Sequence, residues 1–198
     1  MTSETYEIEG RCYERAVLPS CADTEFDMVQ NGWYFADRTL KVSIQFVKMT
    51  IDLKRLQRLP IEETTVYNEE VFRIAHESFT RDRRFHVAPK CDQAISAVVL
   101  RKWVEKLGPS LVCLYHDKPV GFLNLRENFV HLAAVEAKYR VTGAAMGLYA
   151  KAIEVARERG CKTLEGRISS LNTPVMNLYT YFGGQFSEPE DVFLRELP

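Results

Sequence analysis

Polar and apolar residues alternate most clearly in the run Thr39-Leu40-Lys41-Val42-Ser43-Ile44-Gln45-Phe46-Val47, where Leu40, Val42, Ile44 and Phe46 share one side and predict a half-buried strand. Before it, Asp23 to Gln30 reads as a short helix capped by Asp23 or Thr24 and stopped near Asn31-Gly32. Elsewhere the first sixty residues carry weak periodic signals, so residues 1–60 are read as a small α/β appendage. From Ile61 onward the pattern strengthens. Asn68 can cap a helix from Glu69 to Ser78 with Val71, Phe72, Ala75 and Phe79 on one face, and Asp92 to Leu107 predicts a second amphipathic helix closed by Gly108-Pro109. Leu111 to Tyr115 and Val120 to Leu125, joined by the turn His116-Asp117-Lys118-Pro119, read as a hairpin, and Phe129 to Val135 as a further strand. Gly143 to Arg159 has helical composition and spacing, with Gly160 as its stop. A strand from Lys162 to Ile168 follows, then a short helix opened by Asn172 or Thr173 with Pro174 and ended by Gly183-Gly184, then a last strand from Val192 to Leu197.

A strand, a long helix and a strand in succession call for a parallel crossover, whereas the hairpin calls for antiparallel pairing. The expected fold is therefore α/β with a mixed, centrally antiparallel sheet flanked by helices, residues 61–198 forming the main domain. Composition narrows the setting: 198 residues with 26 basic and 27 acidic side chains leave a net charge of -1, which excludes a broad electrostatic footprint for nucleic acid or an anionic membrane. No apolar run approaches the roughly 18 residues of a membrane span, and Met1 to Gly10 lacks the basic-then-apolar order of a signal peptide. The five cysteines are scattered without a C-x-x-C pair, so they read as reduced thiols, with no metal site expected. A cytoplasmic location is the expectation.

The turn from strand to long helix holds the candidate chemistry. His131-Leu132-Ala133-Ala134-Val135-Glu136-Ala137-Lys138-Tyr139-Arg140-Val141-Thr142-Gly143-Ala144-Ala145 ends in R-x-x-G-x-A, where small residues at a helix start let backbone amides approach phosphate oxygens. Tight packing of the helix on the sheet accounts for the same small residues. The loop is neither a Walker A sequence nor a G-x-G-x-x-G fingerprint.

Three features stand in order: Leu132 to Ala145 with Arg140-x-x-Gly143-x-Ala145, Glu158-Arg159-Gly160-Cys161, and Asn172-x-x-x-x-x-Leu178-Tyr179-x-x-x-Gly183-Gly184-x-Phe186. Together they resemble the GNAT superfamily of acyl-CoA-dependent N-acetyltransferases over roughly Ile61 to Pro198. Arg84-Phe85-His86 and the stretch Asn31-Gly32-Trp33-Tyr34-Phe35-Ala36-Asp37-Arg38-Thr39-Leu40 look like the TDP-fucosamine acetyltransferase-like branch, whose members acetylate the 4-amino group of a nucleotide-linked deoxyamino sugar. The resemblance implies acetyl-CoA as co-substrate. It implies that Leu132, Ala133, Ala134 and Val135 offer backbone to the pantetheine arm, and that amides of Arg140, Val141, Thr142, Gly143, Ala144 and Ala145 hold the diphosphate. Asn172 would bond the arm as well as cap its own helix, and Tyr179 stands at the family's general-acid position. Val141 departs from the Gly or basic residue common there, and Ala144 and Ala145 stand where many members keep another Gly, which makes the loop stiffer than usual.

From the residues themselves, Tyr179 on an apolar helix face fits a core tyrosine as well as an acid, and Tyr181 two positions on serves as its comparison. His131, with Glu127 near it in sequence, is a candidate base, since an imidazole titrates near neutrality; a structural histidine fits the same strand. Arg81, Arg83 and Arg84 are candidate ligands for a substrate diphosphate or a solvated loop. Trp33, Tyr34 and Phe35 fit either stacking on a base or sugar or packing the appendage onto the main domain. The functional reading is an acetyl-CoA-dependent N-acetyltransferase for a small amine, with a nucleotide-linked aminosugar favoured. Open beside it stand a protein or peptide N-acetyltransferase, a non-catalytic CoA-binding sensor or scaffold, and a homodimeric assembly.

Overall fold

A computed structural model describes residues 2–8, 11–64, 69–79, 101–108 and 110–198. Asn68, Arg81, Arg83, Arg84, His86, Cys91 and the first part of the helix expected over 92–107 lie outside the described residues.

Among the described residues nine strands form one sheet: β1 (Thr2–Ile8), β2 (Arg11–Pro19), β3 (Tyr34–Gln45), β4 (Ile61–Glu63), β5 (Leu111–Tyr115), β6 (Lys118–Arg126), β7 (Phe129–Val135), β8 (Thr163–Ser169) and β9 (Gln185–Glu196). Their spatial order is β1-β2-β9-β3-β8-β7-β6-β5-β4, and every neighbouring pair is antiparallel except β7 with β8. The mixed sheet expected from the pattern is the one observed. Residues 1–60 supply β1, β2, β3 and helix α1 (Ala22–Gln30), and β3 lies inside the sheet between β9 and β8. Helix α1 starts earlier than a cap at Asp23 or Thr24 would place it: Cys21 is the extended N-cap residue, with no side-chain cap bond.

Alternation along the strands sorts side chains onto two faces. Leu111, Cys113, Leu123, Leu125, Val130 and Val135 pack with Val42 and Ile44 under α4 (Ala144–Glu158) and α5 (Thr173–Tyr181). Val112, Phe122, Leu132 and Ala134 pack on the other face against α2 (Glu69–Phe79) and α3, described over 101–107. Asn124, buried among these, donates its amide to the carbonyls of Leu107 and Gly108 and so terminates α3. Farther along the sheet, α1 covers a smaller cluster of Ala16, Trp33 and Phe193.

The β5–β6 hairpin turns through His116 and Asp117 alone, with φ of 49° and 59°, the left-handed pair of a two-residue turn whose twist matches the strands. Pro119 falls inside β6, opposite a register shift at Cys113/Leu114, where the missing N–H is tolerated.

Candidate functional site

The two parallel strands pair over two residues only, Phe129 with Glu165 and Val130 with Gly166. Beyond that rung β8 stays with β3, to which it is paired from Gln45/Thr163 through Thr39/Ser169, while β7 stays with β6. The strands part as a fork, and the edge of β7 from His131 to Val135 faces its opening.

A bulge starts the fork. Asn124 lies opposite Leu132 and Leu125 opposite Val130, which leaves His131 as the extra residue of β7. The insertion reverses the faces: Val130, Ala133 and Val135 pack toward α4, whereas Leu132 and Ala134 pack toward α2. The backbone orientation follows by alternation. The N–H of Glu136 donates to the Val120 carbonyl on the β6 side (2.9 Å), so the polar groups of Val135 and Ala133 point into the fork. The Val135 carbonyl accepts from Arg140 Nε at 3.1 Å and from Ser78 Oγ at 3.4 Å instead of from a strand.

At the mouth, Ala137–Thr142 form a tight 3-10 segment whose Thr142 hydroxyl donates to the Tyr139 carbonyl at 2.7 Å. Gly143 then takes φ +87°, a conformation that strains any residue with a Cβ, and caps α4 without a side-chain bond. The Gly147 N–H closes the first turn on the Gly143 carbonyl (2.9 Å), leaving the amides of Ala144, Ala145 and Met146 without helical acceptors. The Val141 side chain is 93% exposed, so its departure from the family pattern puts no bulk into the core.

At the closed end, Tyr179 is 1% exposed, and its hydroxyl lies 2.5 Å from the point where a Cβ on Gly166 would stand. The phenol thus sits at the last rung joining β7 to β8. Tyr149 meets it edge-on at 5.1 Å and shares a hydrogen bond with it. Burial pushes Tyr149 up to about 12. Burial, with the neighbouring Tyr149 adding to it, holds Tyr179 well above the ordinary phenol value, so it stays protonated at neutral pH. Tyr181 is 53% exposed and points away, as its spacing predicts.

His131 is exposed on the bulge, its ring 4.8 Å from Phe129. Desolvation, then the positive charge of Arg126, holds it below the ordinary imidazole value. Glu127 is in the exposed turn before β7, with φ of 53°. Asn172 caps α5, its Oδ1 accepting from the Val175 N–H at 3.3 Å. Trp33 is buried in the α1 cluster beneath the Arg195 guanidinium, 4.3 Å from the ring, so packing accounts for it; Tyr34 and Phe35 keep partial exposure.

The structure adds Arg58, which no periodic signal marked. It ends a short turn anchored by Leu53 and Leu56, and its Cδ lies 3.7 Å from the Cβ position of Gly143. Among the described residues no group of three His, Cys, Asp or Glu side chains could hold a metal ion, and no helix is long and apolar enough to cross a membrane.

Similarity to known proteins agrees with this geometry. The chain resembles in fold a GCN5-related N-acetyltransferase from Sphaerobacter thermophilus, with TM-score 0.58 and 15% identity over 94% of this chain and 60% of that one. It resembles likewise a GNAT-family acetyltransferase from Colwellia psychrerythraea (TM-score 0.57, 13% identity, 93% of this chain and 65% of that one). A tandem GNAT protein from the clavulanic acid biosynthesis pathway matches with TM-score 0.56 and 10% identity, over 92% of this chain and 63% of that one. The chain thus spans about 60% of the length of the first of these. No curated protein sequence matches it. The sequence model of the acetyltransferase (GNAT) family matches residues 68–183, more than half of the chain, from α2 through the fork to the end of α5, and the chain belongs to that family.

Proposed function

We propose that this chain transfers an acetyl group from acetyl-CoA to a small primary amine, the amino group of a nucleotide-linked deoxyamino sugar in the first instance. The observation that carries the reading is the fork: an unpaired strand edge runs from a protonated, buried phenol at Gly166 to a helix start at Gly143 with free amides. A pantetheine arm is an extended chain with amide groups, which an unpaired strand edge can bond as a further strand would. The diphosphate that ends the arm then meets the amides from Arg140 to Ala145.

The chemistry needs no dedicated metal. A neutral amine attacks the thioester carbonyl, the tetrahedral oxyanion is met by a backbone N–H of the Ala133–Val135 edge, and the C–S bond breaks as Tyr179 gives its proton to the departing thiolate. The proton lost by the amine leaves through His131 or water, which restores the phenol. The aminosugar assignment is supported by the resemblance of residues 31–40 and 84–86 to the TDP-fucosamine branch, with Arg81, Arg83 and Arg84 as ligands of the sugar-nucleotide diphosphate.

The test combines binding with turnover. Acetyl-CoA should raise the melting temperature by mass action, and Gly143→Glu should remove that shift by placing bulk and negative charge in the cradle. With an aminosugar nucleotide as acceptor, Tyr179→Phe should slow thiol release by about 10²-fold or more while leaving CoA affinity unchanged. Equal effects of Tyr179→Phe and Tyr181→Phe would sink the acid assignment. Binding without transfer to any amine would leave a CoA-binding module.

A further inference from the structure

A helix N-terminus bears partial positive charge, so acidic residues are its favourable neighbours. The start of α4 reverses this rule. Its first turn holds no acidic residue, and its cap, Gly143, has no side chain to accept from the free amides. The neighbour that approaches is a cation, Arg58, whose Cδ is 3.7 Å from the Gly143 Cβ position.

Two acids near this segment are engaged elsewhere. Glu154 accepts from the Gln57 amide at 2.8 Å, and Glu63 pairs with Lys151 at 3.3 Å. The backbone carrying Arg58 is held firmly: Leu53 is buried, Leu56 joins the core, and Gly147 lets the Leu56 carbonyl and Gln57 Cα lie 3.3 and 3.6 Å from its Cβ position. An exposed arginine on a firmly held backbone, its stem approaching the cap of a helix whose first turn holds no acid, is arranged for an anion. A guanidinium fork fits two phosphate oxygens.

We propose that Arg58 is a ligand of the CoA diphosphate, supplied from outside the R-x-x-G-x-A loop. The proposal rests on reading that loop as the CoA cradle, and its test separates the two. The wild-type protein and the Arg58→Ala and Arg58→Lys variants are titrated calorimetrically with CoA, 3′-dephospho-CoA and S-acetylpantetheine. Arg58→Ala should weaken CoA and dephospho-CoA by the same factor, about tenfold or more, should leave S-acetylpantetheine unchanged, and should reduce the salt dependence of CoA binding. Arg58→Lys should recover part of the loss. Because the side chain is exposed, the melting temperature without ligand should not move. Equal weakening of all three ligands would make Arg58 a structural residue, and loss with CoA alone would assign it to the 3′-phosphate; either result overturns the proposal. A wild-type protein that binds CoA while Arg58→Ala binds it equally well overturns the proposal and spares the cradle, whereas a wild-type protein that binds no CoA overturns both.

Discussion

His131 owes its position to one inserted residue. Without the bulge between Val130 and Leu132 its side chain would follow regular alternation; with it, the imidazole stands exposed at the point where the strands part. Its folded-state pKa lies below the ordinary 6.5, through desolvation first and Arg126 second, so it is neutral at pH 7, as a base must be. The sign follows: kcat/KM should be level near neutrality and fall as pH drops through a value below 6.5. In His131→Gln that acidic limb should be lost along with most of the rate. A limb unchanged in position and depth would assign the proton to another group. Residues that sit on a repeating pattern were legible at this scale, as the opposed directions of Tyr179 and Tyr181 show. Arg58 was not, because its meaning comes from its approach to Gly143, 85 positions away by their numbers, and nothing in its own neighbourhood repeats.

Between elements, the distance that matters is from α5 to the last rung of the fork. Gly166 has its carbonyl neighbour Val130 O at 3.4 Å from its Cβ position and the Tyr179 hydroxyl at 2.5 Å, so the phenol occupies the space a side chain on β8 would fill. Gly166→Ala should push the hydroxyl off the rung. A misplacement of about 1 Å at a reacting group can cost on the order of 10²-fold. Turnover should therefore fall by roughly that factor while the CoA dissociation constant changes little; steady-state kinetics with calorimetry check both. Unchanged turnover would show that Tyr179 does not act at the fork. The elements themselves were legible where one face is apolar, and β7 was read from Phe129 to Val135 as observed. The strands β1 and β2 and the first half of β9 were not, because charge hides them: Arg15 pairs with Glu4 and Arg195 with Glu14 across neighbouring strands, and Arg167 of β8 reaches Glu190 of β9 over the intervening β3. A polar face built of cross-strand ion pairs reads, in one dimension, like a loop.

At the scale of the whole molecule, the fork exists because β8 answers to β3. Seven residue pairs join β8 to β3, against two that join it to β7. β3 in turn is tied on its other side to β9, where the Arg38 guanidinium grips Asp191, 1% exposed, at 2.6 and 3.0 Å. Ser169, at the end of β8, donates to Asp37 of β3 at 2.8 Å, and the Ser170 N–H donates to the Arg38 carbonyl at 2.8 Å. These bonds set the path of the loop that leads to Asn172 and Tyr179. Sequence texture changes near residue 60, since the polar strands before it lack strong periodicity, yet the sheet is continuous across that point. A chain of residues 61–198 alone would leave facing edges of β8 and β9 unpaired and would lose Val42 and Ile44, both 0% exposed, from the core under α4. That fragment should lose cooperative thermal unfolding and CoA binding together, since nothing would then hold β8 away from β7. A fragment that melts cooperatively and binds CoA as the full chain does would show that the fork is set by β6, β7 and α4 alone, and that residues 1–60 contribute neither the opening nor, through Arg58, its charge.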